Sequence, residues 1–103
     1  MAERKIIWTK IASLQLRTIL EFWIENNKSN TYSLKLLNQV EENLKGIVLN
    51  PLRSPESIFP NSRVSAMKHY SIFYKVDDTE IVVIAFWDNR QDPNKLLKIL
   101  SRQ

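Results

Sequence analysis

The sequence predicts a single α+β domain of element order β-αα-βββ-α, a helical hairpin packed on a small, mostly antiparallel sheet. Three observations predict it. Two long spans before Pro51 repeat their apolar residues at helical spacing. After Ser62 the repeat shortens from about 3.6 residues to about 2. Between these regions, residues 50–62 carry Pro51, Pro55 and Pro60 among serines and asparagines, an ordered coil joining two halves of one body. The helices are expected on one face of the sheet.

Residues 4–8, RKIIW, combine β-formers with an apolar run and form the first strand. Thr9 follows as a helix cap. From Lys10 to Asn27, residues Ala12, Leu16, Ile19, Leu20, Trp23 and Ile24 fall on one stripe, with Lys10, Arg17, Glu21 and Glu25 largely off it. A polar turn over 26–30 leads into a second helix, Thr31 to Leu49, capped by Ser29 or Asn30, with Leu36, Leu37, Val40, Leu44 and Ile47 as its apolar face. Gly46 weakens this helix locally, and Asn50-Pro51 ends it. Similar lengths and a short turn make the two helices an antiparallel hairpin. Arg63 to Lys68 reads as a strand; Tyr70, Ile72, Tyr74 and Val76 then alternate with Ser71, Phe73 and Lys75, as a half-buried strand requires. Asp77-Asp78-Thr79 is a tight turn. Glu80 to Trp87 is apolar on both faces and should be the most buried strand. Asp92 caps a last helix with Pro93 at its first position, running through Leu100.

Composition narrows the functions. Hydrophobic residues at 44% and charged residues at 25% describe a folded domain rather than a disordered chain. With no cysteine, disulfides, thiolate metal sites and a cysteine nucleophile are excluded. No signal peptide or membrane-length apolar run is present, so the expected location is the cytoplasm, with no membrane partner. A net charge of +4 favours nucleic acid or an acidic protein as partner, although such a charge also serves solubility alone.

Several side chains could carry chemistry. His69, the sole histidine, could act as acid or base beside Tyr70, the task imidazole side chains commonly perform; equally it could be a solvent-facing turn residue. Arg63 and Arg90 suit bidentate contact with phosphate or carboxylate, or could be tied to Glu56, Asp88 or Asp92. Trp87 closes the apolar strand where a polar loop begins, so partial exposure is expected. Most other aromatics fall on core periods. Arg63, Lys68, Trp87, Arg90 and Lys95 are therefore the candidate binding residues. The basic, amphipathic stretch 94–103 is short for a membrane-surface helix and better suited to docking on the sheet or on a partner helix. No phosphate-binding glycine loop, metal-ligand spacing or serine–histidine–acid set is present, so neither metal nor cofactor is expected.

This element order, together with KIIWTKIASLQLRTILEFW, RVSAMKHYSIFYKV and IVVIAFWDNRQDPNKL, resembles the RelE/ParE toxin superfamily over almost the whole chain. The resemblance implies the toxin of a type II toxin–antitoxin pair, held inactive by a cognate acidic antitoxin. RelE-like members cleave messenger RNA on the ribosome without metal, for which the candidates here are Arg63, His69, Tyr70 and Arg90. ParE-like members instead block DNA gyrase. Nucleolytic members tend to place an arginine after the tyrosine corresponding to Tyr70, where this chain has Ser71, and some end in a His-Tyr pair where it has Asp88-Asn89-Arg90. An acidic Asp88 beside a scissile phosphate would repel it. The pattern therefore leans towards a ParE-like protein with no catalytic residue. Homodimerisation is left open.

Overall fold

The computed structural model describes residues 3–101. In chain order the elements are β1 (Lys5–Trp8), α1 (Lys10–Asn27), α2 (Thr31–Leu49), β2 (Arg63–Met67), β3 (Tyr70–Val76), β4 (Glu80–Asp88) and α3 (Pro93–Ser101). The expected order holds, with strand ends moved by a residue: β1 starts at Lys5, β2 stops at Met67 and β4 continues to Asp88. Arg4, outside the first strand, donates from Nε to the Asp77 carbonyl at 2.7 Å. The last two residues of the basic C-terminal stretch, Arg102 and Gln103, lie outside the described residues.

The sheet order is β1-β4-β3-β2. β2, β3 and β4 form the antiparallel meander, and β1 joins β4 in parallel. Local chemistry fixes the junctions. Thr9 Oγ1 accepts from Ala12 N at 3.1 Å and so caps α1. Asn30 occupies the N-cap of α2 without a side-chain bond, while Ser29 Oγ accepts from Thr31 N at 3.2 Å. Asp77 Oδ1 accepts the Thr79 and Glu80 amides and closes the turn into β4. Asp92 Oδ1 accepts from Asn94 N at 2.9 Å at the start of α3.

The hairpin packs as its apolar stripes require. Ala12 from α1 and Leu36, Val40, Leu44 and Ile47 from α2 are buried against Tyr70, Ile72, Tyr74, Ile81, Val83 and Phe86. Ser33 Oγ donates to the Leu20 carbonyl at 2.7 Å, fastening the helices together. Tyr74 is fully buried, and its hydroxyl escapes desolvation by donating to the Pro51 carbonyl at 2.8 Å. Ile24, placed on the buried stripe by its spacing, is instead 41% exposed near the end of α1.

One expectation needs correction. The three helices do not share a face. Leu96 of α3 is buried with Phe59 and Ala85, and Phe73, Trp87 and Leu100 pack beside them, in a core separate from that of the hairpin. A bulge in β4 decides which of its residues faces each core. Phe73 pairs with Ala85 but Tyr74 pairs with Val83, so Ile84 has no partner on β3. One extra residue inverts the alternation of faces beyond it. Ile81 and Val83 face the hairpin before the bulge; after it Phe86 does, while Ala85 turns to α3. β4 is thus apolar on both sides because both sides are covered.

Gly46 sits in α2 where an added Cβ would meet Arg53 Nη2 at 2.5 Å. That atom is the far end of a flexible side chain and can move aside. Gly46→Ala is therefore expected to raise stability by about 0.5–1 kcal/mol through helix propensity, read as a higher urea midpoint.

Candidate functional site

Beyond Val83, β4 loses β1 as its neighbour, because the chain turns at Thr9 into α1 and Thr9 N donates to Val83 O at 3.0 Å. α1 then runs beside the second half of β4. Between them lies a cleft of about 420 Å³, with Leu14, Thr18 and Phe22 on the helix side and Phe86, Asp88 and Arg90 on the strand side. Gln15 bridges the walls: its Oε1 accepts from Phe86 N at 2.9 Å.

The floor of the cleft is an aromatic and polar network. Tyr70 is 2% exposed and stacks on Phe86 with ring centres 5.3 Å apart. Its hydroxyl accepts from Trp23 Nε1 at 2.9 Å and from Arg90 Nη2 at 3.4 Å. Arg90 also reaches Asp88 through Nε and Nη2, at 2.9 and 3.0 Å. Asp88 Oδ1 in addition accepts the Arg90 backbone N–H. These bonds, the guanidinium's foremost, hold the Asp88 carboxyl below the usual aspartate range against the opposing effect of burial. The Arg90 guanidinium is raised in turn by the same bond.

A depressed carboxyl contributes stability above its unfolded pKa, near pH 4, and loses it as pH falls through the lower folded value. Asp88→Asn is therefore expected to lower the urea midpoint at pH 7. The gap to the unmutated protein should close as the pH is taken to about 3.

Asn89 joins the β2–β3 turn to this loop. Its N–H donates to the His69 carbonyl at 2.7 Å and its Nδ2 to the Lys68 carbonyl at 3.1 Å, while Ser71 Oγ donates to its Oδ1 at 2.7 Å. Lys68 holds φ at 56°, a left-handed conformation unusual for a lysine, within a turn fixed from outside.

The candidate residues do not form one constellation. Tyr70 and Arg90 touch, and His69 is close enough for its charge to act on Asp88. His69 itself is exposed in the turn, and no side-chain hydrogen bond involves it. Arg63 lies at the far end of the β2–β3 pairing, opposite Tyr74, about 13 Å along the strand from Tyr70. There its Nη1 donates to the carbonyls of Leu52 and Ser54 at 3.1 and 2.7 Å, pinning the coil. Lys68 is exposed and lines a different cleft with Lys35, Glu42 and Arg53. Lys95 is exposed on the first turn of α3. Trp87 is half-buried, with its indole nitrogen enclosed and lacking a protein acceptor.

Leu14, Gln15 and Phe22 were not legible as site residues. The only signal was surplus: Leu14 and Phe22, eight residues apart on α1, repeat at helical spacing outside the main stripe. Among the described residues no group of acidic, histidine or cysteine side chains is arranged to hold a metal, and no helix is long and apolar enough to cross a membrane.

Comparison with known proteins agrees with the fold. A solved chromosomal ParDE toxin–antitoxin system from P. aeruginosa superposes with a TM-score of 0.70 at 18% identity, covering 84% of this chain and 96% of that one. A chain of the E. coli DinJ–YafQ toxin–antitoxin complex superposes with a TM-score of 0.56 at 11% identity, covering 86% and 96%. No curated protein sequence matches. The family model described as the ParE toxin of the type II toxin–antitoxin system parDE matches residues 6–93, and on that match the chain belongs to the ParE toxin family.

Proposed function

We propose that this toxin stops growth by binding a large protein target such as DNA gyrase, and not by cleaving RNA. One observation carries the reading. Arg90, the cation nearest Tyr70, is already engaged by Asp88, so the pair offers a scissile phosphate little uncompensated positive charge. The chain acts as a single domain in the cytoplasm. A cognate acidic antitoxin neutralises it, drawn by the net charge of +4. Lys68 and Lys95 supply exposed cationic contacts, whereas Arg90 is matched by Asp88, and Arg63 and Trp87 act by holding the coil and the end of the sheet in place.

Purified toxin should inhibit supercoiling by gyrase and leave message intact in a cell-free translation reaction. His69→Ala should remain as toxic as the parent, because the reading gives that imidazole no chemical task. Cleaved message that becomes intact with His69→Ala would overturn the proposal in favour of a ribosome-dependent endoribonuclease. Inducing the chain without the adjacent antitoxin gene should arrest growth, and co-induction should restore it.

A further inference from the structure

A second cleft, of about 590 Å³, lies between α2, the coil that follows it and the β2–β3 turn. Its helix wall is one stripe, in which Lys35, Gln39 and Glu42 recur three or four residues apart. Gly46 continues the stripe, and as the chain's only glycine it leaves room for the Arg53 guanidinium against the helix. Lys68 comes from the other wall. Its left-handed backbone is held from outside, where Asn89 Nδ2 donates to the Lys68 carbonyl, so the place at which this side chain leaves the turn is fixed.

Lys35, Arg53 and Lys68 are all exposed, and among the described residues no carboxylate pairs with any of them. Glu42, the one acid in the lining, is matched by Lys45 Nζ at 3.3 Å. Asn43 Oδ1 accepts from Ser65 Oγ, which leaves Asn43 Nδ2 as a further donor to the cleft. The cleft beside Tyr70 is the opposite case, since its single cation is already engaged.

Three unmatched cations call for an anion with several charges set along a line. From Lys35 to Gly46, beneath Arg53, α2 advances about 16 Å, equal to about five steps of a duplex strand at about 3.4 Å per phosphate. No aromatic side chain lines the cleft, so it has no platform on which unstacked bases could rest. Recognition of duplex RNA by shape takes a footprint of about 16 base pairs, about three times this length.

We propose that this cleft binds the phosphate backbone of duplex DNA, without reading its sequence, through Lys35, Arg53 and Lys68. Contacts of this kind position a protein on a duplex and carry no base information. The inference goes beyond the reading above and stands apart from it, because it requires neither gyrase nor antitoxin.

The test follows the fluorescence anisotropy of short labelled duplexes with the full chain alone, over a range of salt concentrations. Duplexes of unrelated sequence should bind within about twofold of one another, and log K against log salt should fall with a slope of about −3. Lys35→Gln, Arg53→Gln and Lys68→Asn should each lower affinity at low salt by about tenfold and make the slope shallower by about one. Asparagine is chosen at position 68 because it tolerates the left-handed backbone. Lys10→Gln removes an equal charge at an exposed position of α1 and should change affinity by less than about twofold. Circular dichroism confirms that each variant is folded before its affinity is read. Absence of binding at low salt overturns the proposal. So does a Lys10→Gln effect as large as that of the cleft variants, since net charge alone would then attract the DNA. Tighter binding of single-stranded DNA or duplex RNA overturns duplex DNA as the ligand, and a preference of more than about tenfold for one duplex sequence overturns backbone contact as the mode. None of these results touches growth arrest or supercoiling, so the two readings fail separately.

Discussion

Phe86→Ala is expected to destabilise the protein by about 3–5 kcal/mol, the usual range for truncating a fully buried phenylalanine. At this chain length the melting temperature should fall by about 15–25 °C. Phe86 touches no solvent, joins the hairpin core and stacks on Tyr70, so the vacated volume has no easy filler. Tyr70 in turn anchors Trp23 of α1 and Arg90 of the following loop. The loss should therefore be both thermodynamic and local. Urea unfolding would show a lower midpoint with an unchanged slope, and hydrogen exchange would show the 88–91 loop opening more often than the β2–β3 turn. A drop below about 1.5 kcal/mol would mean that the cleft floor repacks, and that Phe86 is not what supports it.

Arg63→Ala is expected to cost about 2 kcal/mol, because two charge-assisted bonds to the coil are lost while a half-buried carbonyl is left behind. Arg63→Lys should recover part of this, since an ammonium can reach one carbonyl but is more strongly hydrated than a guanidinium. The measurement discriminates between two roles for the same residue. A stable Arg63→Ala protein that has lost toxicity would make Arg63 a contact residue. A destabilised protein that regains toxicity at lower temperature would make it a pin for residues 52–54. The second outcome is the expected one, because both hydrogens of Nη1 are committed to backbone carbonyls.

Features set by interactions within a few residues of chain were readable in advance. The helices of the hairpin and the strands of the meander were written locally, in the period of Leu36, Val40, Leu44 and Ile47 and in that of Tyr70, Ile72 and Tyr74. Caps and turns at Thr9, Asp77 and Asp92 were equally local, because each satisfies amides only two or three residues away. The ion pair between Asp88 and Arg90 was one of the alternatives the sequence offered, being only two residues apart.

What the sequence by itself determined was the order of elements, their amphipathic faces, the basic charge and the resemblance that these carry. Only the tertiary structure decided that α3 covers the opposite face of the sheet from the hairpin, that Arg63 stands far from Tyr70, and that Leu14 and Phe22 flank an open strand edge. The physical reason is the range of the interactions involved. Periodicity and capping act within a turn or two of chain, but the bulge at Ile84 exists only in the pairing of β4 with β3. A single unpaired residue there turns Phe86 towards one core and Ala85 towards the other. Which side of a strand faces which helix is a property of register, and register belongs to two strands at once.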